Sequence, residues 1–241
     1  RTRMNMDLSG RQVVVTGGTG ALGIAVVRVV VNAGANCTVP YVHETEAQRF
    51  PYNDQKQVTL LKISDLSDEG DVAKVYAGVK TLAPLWASIH LAGGFAAGKV
   101  AETDKTALMT QIDNNFVSCF MCCRAAIQAM LAGGQGGRIV NVAARPALEW
   151  RSGAGMAAYT AAKTGVAALT VALAEEVAKD GILVNAVAPS IMDTPANRKA
   201  MPKANFDAWP NVEEVAATIA FLASPDNRVT RGAIVPVYGK S

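Results

Sequence analysis

Gln12-Val13-Val14-Val15-Thr16-Gly17-Gly18-Thr19-Gly20-Ala21-Leu22-Gly23 decides the fold. A short apolar run of strand length (12–16) ends in a glycine-rich turn, and an apolar helical pattern (22–32) follows, with Gly34 just past its end. Glycines allow a tight turn and close backbone approach. The free N–H groups and the dipole of the helix that follows then favour an anion. Gly17, Gly20 and Gly23 meet that need, with Thr19 and Leu22 between them. A glycine turn alone is a weak signal that an ordinary loop can also give. Here it leaves the first strand and opens a helix, which is the context a dinucleotide phosphate site requires.

Outward from that turn, strand-length apolar runs alternate with longer helical stretches. Strands are expected at 36–42, 58–63, 86–91, 138–142, 182–187 and 233–237. Helices are expected at 68–82, 103–131, 155–179 and 212–222. Gly133-Gly134 and Gly181 close two of them. Continuous apolar strands alternating with helices imply a mostly parallel sheet covered on both faces. Pro236 lacks a ladder donor, so the last strand is expected at an edge. No linker or repeat interrupts 1–241, which reads as a single domain. The segment 189–210 is too long for a mere connection and reads as a binding loop or lid.

The bulk properties narrow the function. The 241 residues are half apolar and 18% charged, enough for one large α/β core. A net charge of +3 with no basic run among aromatics argues against nucleic acid as a partner. No apolar stretch of about 20 residues stands out, so no membrane span is expected, and 1–10 lacks a secretory apolar segment. Cys37, Cys119, Cys122 and Cys123 are expected as buried thiols in a reducing cytoplasm. No metal site is expected, because His43 and His90 lie elsewhere in the chain. His90, ending an apolar strand, reads as a satisfied structural residue.

Tyr159 and Lys163 stand four apart on an expected helix and share a face. A free tyrosine titrates near 10, and a nearby ammonium favours its phenolate. Such a tyrosine can pass a proton to an oxygen while hydride arrives at the neighbouring atom. The spacing alone would better suit a surface pair. Asp65, after the third strand, is placed either to accept from an adenine amine or to cap a helix. At the end of the second strand, where an acid would hold the ribose 2′-hydroxyl of NAD, the residues are Pro40-Tyr41-Val42-His43, with Glu44 beyond and no arginine adjacent. The missing acid leans the cofactor, NAD(P)(H), slightly toward NADP(H).

Together these motifs resemble the short-chain dehydrogenase/reductase family over essentially the whole chain. The glycine turn, Asp65-Leu66, Ala92-Gly93-Gly94, Asn115, Tyr159-x-x-x-Lys163 and Pro189 to Thr194 occur in the family's order. The resemblance implies a Rossmann-type, doubly wound α/β fold with a seven-stranded sheet, a small-molecule substrate, and a homodimer or homotetramer. It implies Tyr159 as proton donor, Lys163 on the nicotinamide ribose and Asn115 holding a relay water. Tyr41, Asp65, Leu66, Ala92, Gly93, Gly94, Pro189, Ile191 and Thr194 would line the cofactor.

Three departures stand out. The family's Asn-Asn-Ala-Gly is His90-Leu91-Ala92-Gly93, and its Pro-Gly is Pro189-Ser190. Its catalytic serine is absent from Asn141-Val142-Ala143-Ala144-Arg145, and Ser152 lies too near Tyr159 to replace it. The chain is also similar to the serine-lacking dihydropteridine reductase branch, through Gly18-Thr19-Gly20-Ala21-Leu22-Gly23, Ala92-Gly93-Gly94-Phe95 and the 193–209 loop. That likeness implies a planar or activated carbonyl, quinonoid or imine-like substrate, with Phe95, Ala144 and Trp209 at its pocket. The alternatives are a 3-oxoacyl-type carbonyl reductase and a non-catalytic NAD(P)-binding regulator.

Overall fold

The computed structural model describes residues 6–79 and 83–241. In chain order the elements are β1 (Gln12–Thr16), α1 (Ala21–Asn32), β2 (Asn36–Tyr41), α2 (Glu44–Arg49), β3 (Val58–Lys62), α3 (Glu69–Val79), β4 (Leu85–His90) and α4 (Lys105–Ile112). A π-helical segment, Asp113–Val117, joins α4 to α5 (Ser118–Gly133). Then follow β5 (Gly137–Val142), α6 (Arg145–Leu148), α7 (Ala157–Glu176), β6 (Ile182–Pro189), α8 (Pro195–Ala200), α9 (Val212–Ala223) and β7 (Ile234–Val237).

The seven strands form one sheet in the order β3-β2-β1-β4-β5-β6-β7, every pairing parallel. Both faces must therefore be covered, and the two main core clusters do so. Val26, Val30, Ile219 and Leu222 of α1 and α9 pack on one face. Val72, Val75, Cys122, Ala126 and Val166 of α3, α5 and α7 pack on the other. β1 and β6 are buried along their whole length, as strands between two helical layers must be. Pro236 lies on β7, which pairs only with β6, so its missing N–H faces no strand.

The sequence expectations hold for element type and order and differ at several places. The helix expected at 68–82 is seen as α3 to Val79; positions 80–82 lie outside the described residues. The single helix expected at 103–131 begins at Lys105, capped by Asp104, whose carboxylate accepts from the Ala107 N–H at 2.8 Å. The π segment then interrupts it. α2, α6 and α8 are short helices within expected loops. Lys105–Gly133 and Ala157–Glu176 reach the length of a membrane span, with mean hydropathy of 1.5 and 1.3, correcting the expectation that no such stretch exists. Each packs one face on the sheet and buries polar side chains there: Asn115 and Ser118 on one, Lys163 and Thr170 on the other.

Candidate active site

Strand order reverses between β1 and β4, whose carboxyl ends part to leave a crevice. One continuous cleft follows it. One half is lined by the glycine turn with Tyr41, Glu46, Asp65, Leu66 and Ala92. The other is lined by Leu22, Phe95, Asn115, Ala144, Tyr159, Lys163 and Thr194. Gly17, Gly20, Leu91 and Gly93 border both halves.

The floor of the cleft is built by close backbone approach. Gly17 has φ +66°, and a Cβ there would sit 2.6 Å from the Ala92 nitrogen. A Cβ on Gly23 would sit 2.1 Å from the Gly17 carbonyl oxygen. α1 starts with no side-chain cap and no acid in its first turn, leaving N–H groups at the cleft for an anion. A Cβ on Gly93 would lie 2.7 Å from Asn115 Oδ1 and 3.4 Å from Lys163 Nζ, so bare backbone meets the polar end. These features fit a dinucleotide lying across the turn.

α7 presents Tyr159 and Lys163 side by side. Lys163 Nζ donates to the Val142 carbonyl at 2.9 Å and lies 5.9 Å from the Tyr159 ring centre. Burial pushes the Lys163 ammonium down to about 8, partly opposed by Cys119. Burial also pushes the Tyr159 phenol up to about 12. This runs against the expectation that Lys163 lowers Tyr159, because burial disfavours the phenolate. Phe95 stands edge-on to Tyr159, ring centres 5.1 Å apart, and is largely exposed. Asn115 is buried in the π segment, where interruptions of a helix often mark functional sites. Its Oδ1 accepts from the Gly94 N–H at 3.2 Å, and its Nδ2 donates to the Gly94 and Gln111 carbonyls, both at 2.9 Å. The side chain thus clamps the Gly93-Gly94 backbone to the helix.

The sequence pattern of the short chain dehydrogenase family matches residues 11–205. The chain belongs to the short-chain dehydrogenase/reductase family. It is 30% identical to 2,3-dihydroxy-2,3-dihydro-p-cumate dehydrogenase of Pseudomonas putida, across all of this chain and 97% of that protein. It is 34% identical to cis-4-hydroxycyclohexanecarboxylate dehydrogenase of Sinomonas cyclohexanicum, across 98% of each. The solved structure of ElxO with NADP bound superposes with a TM-score of 0.86 at 25% identity, over 95% of this chain and 98% of that one. The chain is accordingly an NAD(P)-dependent oxidoreductase acting on small molecules.

Against the family pattern, the cleft takes in every expected site residue but two. Ile191 is partly exposed and lies outside it, while Ser190, Met192 and Asn197 line it. Trp209 also lies outside: its ring packs against Phe206, centres 5.1 Å apart, anchoring the 189–210 loop to itself. Ser152 is exposed and donates to the Glu149 carbonyl at 2.7 Å, away from the cleft. Ala144 is buried at the cleft wall, and no hydroxyl stands in its place. The Asp65 carboxylate accepts from the N–H and Oγ of Ser67, both at 2.7 Å, inside the loop, and borders the cleft, while Asp68 caps α3 by accepting from the Asp71 N–H at 2.9 Å.

Glu46 was missed. The sequence shows no acid at the tip of β2, but α2 turns back there and brings Glu46 to the glycine turn. The Thr19 hydroxyl donates to it at 3.2 Å. Glu44 is taken up by Lys62 Nζ at 2.5 Å and the Tyr41 hydroxyl at 3.5 Å. The signal was six residues of helix pattern, Glu44–Arg49, with acids in the first turn. His90 is buried and fully partnered, by Ser88, Tyr76 and Asn141.

Proposed function

We propose that this enzyme moves hydride between NAD(P)(H) and a small ring substrate, in the reducing direction onto a planar, activated carbonyl, quinonoid or imine-like group. When bound, the cofactor supplies or accepts the hydride at its nicotinamide. Tyr159 gives the proton: a phenol held near 12 stays protonated at neutral pH, the form a donor needs. Lys163 holds the ribose and stands ready to replenish the proton, its ammonium brought near neutral pH by burial. Asn115 fixes the Gly93-Gly94 backbone beneath them and retains one acceptor site on Oδ1 for a relay water.

The carrying observation is Ala144, which lines the same cleft as Tyr159 and the largely exposed Phe95. With no serine hydroxyl to share the developing oxyanion, the site suits a substrate whose conjugation already spreads that charge. The two relatives named above act, by their names, on ring compounds. A quinonoid dihydropteridine is one member of this class, supported by the motif likeness alone. The experiment is NADH and NADPH oxidation against one aliphatic ketone, one quinone and one quinonoid dihydropteridine. The proposal expects kcat/KM to favour the ring acceptors. A simple ketone or 3-oxoacyl substrate as the best acceptor would replace it.

At the adenosine end we propose NAD(H) as the preferred form. The lean toward NADP(H) rested on the missing acid, and Glu46 removes that premise. Glu44 is neutralised by Lys62, while Glu46, at the same end of the cleft, has no cationic partner among the described residues and would repel a 2′-phosphate there. The same reading proposes a homodimer or homotetramer, since Leu108, Met109, Phe120 and Val171 leave apolar side chains exposed on α4, α5 and α7.

A further inference from the structure

Beneath the floor of the cleft lies a group of side chains that the hydride chemistry does not use. His90 ends β4, Asn141 lies near the end of β5, and Cys119 and Cys123 stand four apart on α5, so they share the face turned to the sheet. The ring nitrogen of His90 and the two sulfurs all lie within 4.8 Å of one another, and all three residues are buried. For His90, though not for His43, this overturns the expectation that the histidines stand apart from the cysteines: β4 carries His90 directly under α5.

We propose that His90, Cys119 and Cys123 form a binding site for one zinc ion, with Asn141 Oδ1 as the fourth ligand. The distances carry the argument. Zinc bonds of about 2.3 Å to sulfur and about 2.05 Å to nitrogen, set tetrahedrally, place the two ligand atoms about 3.6 Å apart. Cys123 Sγ lies 3.5 Å from His90 Nδ1 and 3.4 Å from Asn141 Oδ1. His90 Nδ1 and Asn141 Oδ1, hydrogen-bonded at 2.8 Å, need only part by roughly half an ångström to admit the ion. Two sulfurs and an imidazole select a thiophilic cation over magnesium or calcium.

The surrounding shell is also suitable. His90 Nε2 lies 2.8 Å from Ser88 Oγ, and the Tyr76 hydroxyl lies 2.7 Å from that same oxygen. With Nδ1 on zinc, Nε2 carries the proton and donates to Ser88, the arrangement that orients a histidine ligand. Asn141 Nδ2 donates to Thr170 Oγ1 at 3.0 Å, which points Oδ1 at the site. Binding makes two Zn–S bonds and releases the two thiol protons to solvent, with no change of oxidation state. Two thiolates balance the ion's charge, so Lys163 above it meets no added cation. Ser118, which borders the cleft, immediately precedes Cys119.

The test is metal binding by the full chain, purified with its thiols reduced. Equilibration with zinc and removal of loose ion should leave one zinc per chain. Cobalt(II) should give a thiolate charge-transfer band and the visible spectrum of a tetrahedral site. His90→Asn restores the residue that most of the family carries there, and should fold. It and Cys123→Ser should lose affinity by more than the 10–100-fold that follows loss of a supporting residue, while Cys122→Ser should bind as the parent does. No thiolate band with cobalt, or zinc held equally by His90→Asn, would overturn the proposal. Should Cys123→Ser fail to fold, His90→Asn decides alone.

Discussion

Lys163→Met separates the work of Lys163 from its cost. In the cofactor-free protein, burial lowers its ammonium from 10.5 to about 8. By linkage, that is roughly 3 kcal/mol against the charged form. Below pH 8 the folded and unfolded states are both protonated, and the folded state carries the whole penalty. Between pH 8 and 10.5 the unfolded chain binds more protons, so wild-type stability rises with pH. Above 10.5 the penalty is gone. The variant has no such slope. Its advantage from this source is roughly 3 kcal/mol at pH 7 and roughly 1 kcal/mol at pH 9.5. The bond from Lys163 Nζ to the Val142 carbonyl is lost as well, which lowers the variant by roughly 1–3 kcal/mol at every pH. The narrowing of about 2 kcal/mol between the two pH values therefore carries the test. The other titratable groups facing Lys163, Tyr159 and Cys119, are common to both proteins. Urea unfolding of both at pH 7 and 9.5 measures it. A stability difference flat to within about 0.5 kcal/mol would refute the buried-ammonium account. Turnover should collapse in the variant at both pH values, as expected where a site is maintained at the expense of stability.

Tyr159→Phe keeps the ring against Phe95 and removes the proton; kcat should fall about 10²–10⁴-fold with cofactor affinity little changed, and unaltered turnover would sink the assignment. Ala144→Ser should leave kcat/KM on an aliphatic ketone within about tenfold of the parent; a gain near a hundredfold, about 2.7 kcal/mol, would mark the site as a decayed ordinary reductase. Glu46→Gln should shift the NADPH-to-NADH affinity ratio by at least about tenfold toward NADPH, and no shift would return the preference to other residues. Light scattering should give a dimer or tetramer, and a clean monomer at micromolar concentration would reject the pairing of the α4, α5 and α7 faces.

Much of the fold was legible because its rules are local. A strand buried on both faces is a run of apolar residues, and the turn after β1 demands glycine within a few positions. Tyr159 and Lys163 meet because four residues make about one turn of helix. These constraints act between near neighbours, so Val13, Gly17, Gly20 and Lys163 declare themselves in the linear text. Three-dimensional structure decided what depends on distance between remote segments and on removal of water. Glu46 reaches Thr19 only because α2 folds back beside the turn. Trp209 turns onto Phe206 rather than the cleft because the 189–210 loop packs on itself. The π segment at Asn115 is invisible to a helical period, which differs too little between α and π over five residues. The protonation of Tyr159 went the other way from its sequence reading, since an ammonium four residues along is visible in the chain but burial is not. His90 and Cys123, 33 positions apart, share a contact because a parallel sheet and its covering helix bring the end of one strand under the next helix but one.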